Sequence, residues 1–297
     1  MRKAYKLLAV AMALVFCAGL QSCHNTEQIP HGYPILFRCA DITRAEATLD
    51  DLKENGFDVY AYFTGNGNTF TFTKSLSFNE ANGWIYNGDI EYWLPGATYY
   101  FKAAYPKGVG TIDNTTSAQS FTISNFDVTS QTDLLVAQTG AIDVDASLGS
   151  PTGGSIVNLQ FKHLLANVVV KIKAEVNVTI NDMAIKFVPV DCDYENGSWT
   201  ENSQGNIEKT NINAQLSTGA NSAEIGFLVI PQTVNGGQKL YIKTSDKTYD
   251  IAIPATTWNA GTKYTYTLTI KQNDILFDEP SVEEWDEESA VGSVVIK

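Results

Sequence analysis

Apolar and polar residues alternate with a period of two along most of this chain, a pattern typical of β-strands with one buried face. In the clearest early example, Val59, Ala61 and Phe63 lie on one face of a predicted strand, and Tyr60 and Tyr62 lie on the other. Further strands are predicted at residues 70–73, 84–86, 99–105, 120–123 and 134–137. Clusters of glycine and asparagine separate these strands, as expected for turns between antiparallel neighbours.

A second series of strands follows residues 148–155, which concentrate loop-forming residues and predict a domain boundary. Its members are predicted at residues 157–161, 168–174, 184–188, 224–230, 240–244, 249–253 and 264–270. The helical signal is short: one capped turn at residues 48–52, closed by Gly56. Short strands at this spacing predict an all-β protein with two antiparallel β-sandwiches in tandem, at residues 45–152 and 153–277.

The first residues depart from this pattern. A cationic start is followed by an apolar run at residues 7–20 and then by Gln21, Ser22 and Cys23. The run is too short to span a bilayer as a mature helix, and a small residue before cysteine is typical of bacterial lipoprotein cleavage sites. We therefore expect a signal peptide at residues 1–22 and a lipid on Cys23. A buried N-terminal helix, the alternative, would need polar positions on one face, and residues 7–20 offer none.

Residues 23–44 are expected to hold a tether and one short strand. Proline and glycine interrupt residues 24–34, and no periodicity is present there. The alternation resumes immediately afterwards, where Ile35, Phe37 and Cys39 form the apolar face of a predicted strand.

The C-terminal region, residues 278–297, is predicted to be an acidic linker followed by an apolar strand. Seven acidic residues crowd around Trp285, and four aliphatic residues follow them. These are Val291, Val294, Val295 and Ile296. A frayed terminus would more often remain polar, because apolar residues without a core gain nothing from order.

Charge excludes one class of partner. The net charge of −13 becomes −16 once the signal peptide removes Arg2, Lys3 and Lys6. A polyanion repels phosphate, and the mature chain has no cluster of lysine and arginine with interleaved aromatics, so we expect no nucleic-acid partner.

Cysteine and histidine offer little chemistry. After processing, Cys39 and Cys192 remain as unmodified cysteines, and their spacing fits no zinc or redox motif, so two buried thiols and a disulfide are both open. A catalytic relay would have to use His163, because the tether histidines could not be held in place. We interpret His163 as a structural residue at a strand end and rank a hydrolase last. No catalytic residue, metal site or cofactor is predicted, and the protein is predicted not to be an enzyme.

The arginines carry more information. Once the signal is removed, Arg38 and Arg44 are the only two, so an arginine-specific protease could cut only in this segment, between Arg44 and Ala45 in our interpretation. Chance placement of a solvated arginine is the alternative. If the strand at residues 35–39 lies in the first sheet, its removal opens an apolar groove that the strand at residues 291–296 of another subunit could fill. Such a head-to-tail contact does not close, so it builds a filament.

Several sequence segments, taken in order, resemble the fimbrillin family, the lipoprotein precursors of type V pili of Bacteroidales, and the likeness covers nearly the whole chain. The segments are Thr43-Arg44-Ala45, Gly56-Phe57-Asp58-Val59-Tyr60-Ala61-Tyr62, Trp84-Ile85-Tyr86, Tyr92-Trp93, Tyr100-Phe101-Lys102-Ala103-Ala104-Tyr105-Pro106, Thr132-Asp133-Leu134-Leu135-Val136-Ala137, Phe161-Lys162-His163-Leu164-Leu165 and Tyr264-Thr265-Tyr266-Thr267-Leu268. The resemblance implies transthyretin-like sandwiches, transport to the outer membrane as a lipoprotein, cleavage after Arg44 and polymerisation by strand exchange.

The same resemblance implies partners and leaves the position of the subunit open. It implies other fimbrillin subunits as partners, the outer membrane through the lipid on Cys23 before processing, and a surface ligand on host or bacterium. Residues 289–297 match the donor segment of the family, although Gly292 and imperfect alternation leave its register open. Stalk and tip positions both remain open, whereas an uncut anchor subunit is disfavoured by Arg44 and the apolar tail.

A second function is compatible with the pattern. The aromatic residues Tyr60, Tyr62, Trp93 and Tyr100 are predicted to face outward and could stack on sugar rings. That interpretation describes an uncleaved surface lipoprotein that binds glycans. Aromatic residues in antiparallel sheets more often pack against their cross-strand neighbours, which favours the pilus subunit.

Overall fold

The computed structural model describes residues 32–39, 49–113, 120–147, 149–219, 222–272 and 275–285. The predicted signal peptide and Cys23, the predicted cut between Arg44 and Ala45, and the tail residues Val291, Val294, Val295 and Ile296 lie outside the described residues. Within the described ranges, no helix is long and apolar enough to cross a membrane.

The described chain is built almost entirely of strands, so the predicted all-β class is confirmed. The first eleven strands are β1 (Leu36–Cys39), β2 (Phe57–Gly65), β3 (Asn68–Asn79), β4 (Gly83–Tyr86), β5 (Thr98–Tyr105), β6 (Gly110–Asp113), β7 (Ser120–Asp127), β8 (Leu135–Gln138), β9 (Ile142–Asp143), β10 (Ile156–Leu159) and β11 (Lys162–His163). The short helix α1 (Leu49–Asn55) lies between β1 and β2, and a 3-10 turn at Val128–Ser130 follows β7.

The remaining strands contain the longest strand of the chain, β13. They are β12 (Ala166–Ala174), β13 (Val178–Glu195), β14 (Ser198–Lys209), β15 (Ala214–Leu216), β16 (Ser222–Val229), β17 (Gln232–Val234), β18 (Lys239–Thr244), β19 (Thr248–Ala252), β20 (Thr256–Trp258), β21 (Thr262–Ile270), β22 (Ile275–Phe277) and β23 (Ser281–Glu284).

The first large sheet has the order β11-β8-β5-β2-β3-β4, and β9 pairs with β5. Its central hairpin, β2–β3, turns through Asn66 and Gly67, whose positive φ angles of 53° and 76° suit the two-residue turn that matches the twist of a hairpin. One face of this sheet buries Phe57, Val59 and Phe101 in the first apolar core.

A small two-stranded sheet, β1 paired with β10, covers that core together with Leu52 of α1. Val157 and Leu159 of β10 and the following Phe161 are buried in the same core. The first core therefore takes residues from both sides of the boundary predicted between residues 152 and 153, and the second core takes Phe121 and Leu134 from the earlier part of the chain.

The second core lies between two further sheets. One sheet has the order β16-β12-β21, with β22 and β23 both paired to the outer edge of β21. The other has the order β19-β18-β13-β7-β6, with β14 and β15 also paired to β13. Strands β6 and β7 come from the first half of the chain, so the two halves are interleaved in this sheet.

Two strand pairs differ from the predicted antiparallel arrangement. Strand β1 runs parallel to β10, and β12 runs parallel to β21 over eight residue pairs, from Asn167 with Lys263 to Ala174 with Ile270. In both cases an early strand of a sandwich lies beside one of its last strands. The other long pairings are antiparallel, as the turn signals predicted.

Candidate strand-exchange site

The segment of residues 33–39, which contains β1, is hydrogen-bonded to the rest of the protein through both of its edges. On one edge, Leu36–Cys39 pair in parallel register with Ile156–Leu159 of β10. On the other, the Ile35 N–H donates to the Glu91 carbonyl at 2.8 Å, and the Trp93 N–H donates to the Tyr33 carbonyl at 3.0 Å. Residues 33–39 therefore occupy a gap between β10 and residues 91–93, which we call the β1 slot.

The inner face of β1 is apolar and buried, as the alternation predicted. Ile35 is fully buried and Phe37 is 6% exposed. The Phe37 ring makes edge-to-face contacts with Phe101 at 5.6 Å and with Tyr86 at 6.1 Å between ring centroids. The Tyr86 hydroxyl also donates to the Ile35 carbonyl at 3.2 Å. Removal of β1 would expose this aromatic floor to water.

Cys39, the third residue of that face, is half-buried and carries a free thiol. Burial raises its pKa to about 12, so the thiol is neutral and unreactive while β1 is in place. Cys192 is buried in the second core as a second free thiol, and burial raises its pKa to about 11. The two cysteines are not bonded to each other, so no disulfide holds β1 in the slot.

The outer surface around the slot is also apolar. Leu36 and its partner Ile156 are 45% and 36% exposed, and Tyr92, which forms a bridge with Pro34, is 40% exposed. Ile90, just before the residue that accepts from Ile35, is 57% exposed. We call Ile90, Tyr92 and Ile156 the slot rim, because they flank β1 without belonging to it.

Part of the predicted acidic linker is ordered as a strand. Instead of extending freely from residue 278, the chain forms β23, which pairs with the first half of β21. Glu283 forms an ion pair with Lys263 at 2.8 Å. These two residues are opposite each other in the sheet, so the charge of Glu283 stabilises the pairing of β23 with β21. Trp285 follows, is 4% exposed and donates from its backbone to the Gly261 carbonyl at 2.8 Å.

His163 is a buried residue at a strand end, at the point where Trp285 docks. Its Nδ1 lies 2.7 Å from Oδ2 of Asp133, and its ring stacks on Trp285 with centroids 4.1 Å apart. Its imidazole is 2% exposed. Among the residues that the structure describes, no group of histidine, cysteine and carboxylate side chains has a metal-binding arrangement.

The aromatic residues considered for glycan stacking are packed inside the protein. Tyr60 lies against Phe121, with ring centroids 5.4 Å apart, and is 3% exposed. Trp93 is 2% exposed, and its indole N–H donates to the Ser155 carbonyl at 3.3 Å. Tyr62 is also buried, and Tyr100 is half-buried. The prediction that these residues face outward was therefore wrong for Tyr60, Tyr62 and Trp93: Tyr60 packs into the second core and Trp93 into the first.

Sequence reasoning identified the strand in the slot but not its walls. Residues 91–93 and β10 form those walls, and both were assigned elsewhere or left unassigned. The one signal available for the first wall was the pair Tyr92-Trp93, which also contributes to the family resemblance.

Comparison with known proteins gives a consistent result. A family model described as fimbrillin-like matches residues 43–285. A fimbrial protein from Bacteroides vulgatus has a similar fold, with a TM-score of 0.63 and 18% identity over 85% of this chain and 99% of that chain. A proposed cell adhesion protein from Bacteroides ovatus has a TM-score of 0.58 and 13% identity over 86% of this chain and 98% of that chain.

A third structure, a proposed cell adhesion protein from Bacteroides uniformis, has a TM-score of 0.51 and 18% identity over 77% of this chain and 91% of that chain. No curated protein matches the sequence. The family model spans most of the chain, from just before the predicted cut to the anchored Trp285. The chain therefore belongs to the fimbrillin-like family.

Proposed function

We propose that this protein is a structural or adhesive subunit of a type V pilus. It is exported as an outer-membrane lipoprotein through Cys23, cut between Arg44 and Ala45, and assembled at the cell surface by strand exchange. Membership in the fimbrillin-like family supports the role of pilus subunit. The observation that supports cleavage and strand exchange is the β1 slot, an apolar groove filled by a segment that precedes the proposed cut.

β1 is held by hydrogen bonds and burial and not by a disulfide, as expected for a strand that another strand later replaces. Four residue pairs with β10 and the bonds to residues 91–93 hold its backbone, and Ile35 and Phe37 hold it through burial. Cys39 is free, so nothing covalent joins β1 to the slot after a cut at Arg44. Loss of β1 would leave unpaired backbone groups and an apolar floor, which another strand would cover.

The tail repeats the pattern of apolar and basic residues found at residues 35–38. Ile35-Leu36-Phe37-Arg38 and Val294-Val295-Ile296-Lys297 share the order apolar, apolar, apolar, basic. In this register, Val294 and Ile296 replace the buried Ile35 and Phe37, and Val295 replaces the half-exposed Leu36 on the outer face. A strand has period two, so a shift by one residue would place Val295 inward and expose both of its neighbours. We propose this register, with the tail running parallel to β10 as β1 does.

The two arginines provide a matched test. Purified wild-type chain, Arg44→Lys and Arg38→Lys are treated with an arginine-specific protease and run on a denaturing gel without boiling. We expect a ladder of polymers from the wild type and from Arg38→Lys, and monomers from Arg44→Lys. Mass analysis of the cut wild type should place its new N-terminus at Ala45.

The tail is tested in the same assay with Ile296→Asp, which places a charge on the aromatic floor of the slot. It should be cut normally but remain monomeric, whereas Ser293→Asp, outside the proposed buried positions, should still polymerise. A ladder from Ile296→Asp would contradict the proposed register, and the absence of a ladder from the cut wild type would contradict strand exchange itself.

A further inference from the structure

The slot rim remains on the subunit after β1 has left. Ile90, Tyr92 and Ile156 are 57%, 40% and 36% exposed even while β1 is present. They lie on both sides of the slot, since Ile156 belongs to β10 and the other two flank Glu91. Large apolar side chains gathered around one groove on a chain of net charge −13 mark a surface that another protein covers.

The length of the tail limits which surface can cover the rim. Trp285 is buried in the body of the subunit that donates the tail, so only residues after it could reach the slot of another subunit. In the proposed register, Val291 takes the place of Gly32 at the open end of the slot. The six residue steps from Trp285 to Val291 span roughly 20 Å when fully extended.

The body of the donor subunit must therefore lie close to that end of the slot. Tyr92 is there as well, because it forms a bridge with Pro34 at the start of β1. We infer that Ile90, Tyr92 and Ile156 form a docking face for the body of a second copy of this chain, the copy whose tail fills the slot. This inference rests on the proposed function. It adds a second contact between neighbouring subunits, beside the insertion of the tail into the slot.

Electrostatics are consistent with docking at this position. Two copies that each carry a net charge of −16 once the signal peptide has left repel one another over most of their surfaces. At the rim, the carboxylate of Glu91 is paired with Lys74 at 2.6 Å between Nζ and Oε1. Because Lys74 neutralises Glu91, two acidic subunits repel each other less at the slot rim than elsewhere on their surfaces. Docking there also holds the tail near the slot, which raises its effective concentration.

The test uses the full chain and a matched control. The double variant Ile90→Ser/Tyr92→Ser removes the two rim residues that flank Glu91. The control is Phe187→Ser, which removes a residue 52% exposed on β13, in the second sandwich. After the arginine-specific cut, we expect the double variant to polymerise about tenfold more slowly than wild type. The control should remain within about twofold.

Hydrogen exchange on the wild type provides a readout that needs no variant. Amides of residues 89–92 should exchange more slowly in polymers than in cut monomers that contain a synthetic tail peptide in the slot. The peptide complex shows how far the filled slot slows exchange when no second subunit is docked. Equal polymerisation rates, or equal exchange in polymer and peptide complex, would overturn the docking face while leaving strand exchange intact. Failure of the cut wild type to polymerise would overturn both.

Discussion

The indole of Trp285 stacks on the imidazole of His163, with ring centroids 4.1 Å apart and ring planes inclined by 19°. His163 belongs to β11, at one edge of the first large sheet, and Trp285 follows β23 at the edge of the β21 sheet. The contact therefore joins the end of the described chain to the first sheet.

We expect Trp285→Ala to lower the free energy of unfolding by about 3 kcal/mol, because it empties a site that buries a large aromatic ring. Strand β23 should lose protection as well, since the Trp285 backbone bond to Gly261 closes that edge. Urea unfolding and hydrogen exchange at residues 281–284 measure the two effects. Trp285→Phe keeps a ring against His163 and should retain most of the stability; equal losses in both variants would show that a phenyl ring at this position does not replace the indole.

Phe37→Ala should lower the free energy of unfolding of the uncut chain by about 3 kcal/mol, because Phe37 is buried against Phe101 and Tyr86. Leu36→Ala, on the outer face of the same strand and 45% exposed, should change it by only about 0.5 kcal/mol. Denaturant unfolding of both variants measures the difference. Similar effects at the two positions would mean that β1 does not rest in an apolar slot.

The thiols report whether β1 has left the slot. In the uncut chain, Cys39 and Cys192 should both react slowly with an alkylating reagent at pH 8, because burial raises their pKa values to about 12 and about 11. After the cut at Arg44 and addition of a tail peptide, the released segment should regain an ordinary thiol pKa and Cys39 should react quickly. Cys192 should remain slow and serves as the internal control. Slow alkylation of Cys39 in polymers would show that β1 had stayed.

Gly56 and Gly83 allow the cost of a positive φ angle to be distinguished from the cost of a steric collision. Gly56, which ends α1 with φ at +71°, has the Leu76 carbonyl oxygen where a Cβ would lie, whereas Gly83, with φ at +72°, has open space there. We expect Gly56→Ala to lower the free energy of unfolding by more than about 2 kcal/mol and Gly83→Ala by about 1 kcal/mol. Thermal unfolding of the two variants tests this. Equal losses would mean that the collision at Gly56 is relieved by movement of the β3 backbone.

Most strands could be predicted because one of their faces is buried. The alternation of Tyr264, Tyr266, Leu268 and Ile270 identified β21, and all four residues are buried. Strand β14 was missed, because its sequence from Ser198 to Lys209 is mostly polar and most of its residues are exposed. It is stabilised instead by its long antiparallel pairing with β13, which extends well beyond the part predicted at residues 184–188. A strand that is stabilised mainly by backbone pairing need not have alternating apolar residues, so its sequence pattern does not predict it.

The candidate site was predicted in part, because its strand also has one buried face. Ile35, Phe37 and Cys39 showed an apolar face, and that face is the one that fills the slot. The partner strand β10 was assigned to the second sandwich, because local pattern carries no information about which distant strand lies alongside. The burial of Tyr60, Tyr62 and Trp93 was missed because alternation identifies two faces of a sheet but does not show that both are covered.

The parallel pairing of β1 with β10 also constrains how the precursor folds. Leu36 and Ile156 are neighbours in the sheet but lie 120 positions apart in the chain (156 minus 36). A ribosome releases the earlier strand long before its partner exists, and contacts between such distant segments form late. In the proposed maturation, the discarded piece is the one that completes the precursor, so β1 would keep the slot of each newly folded subunit closed until a protease removes it.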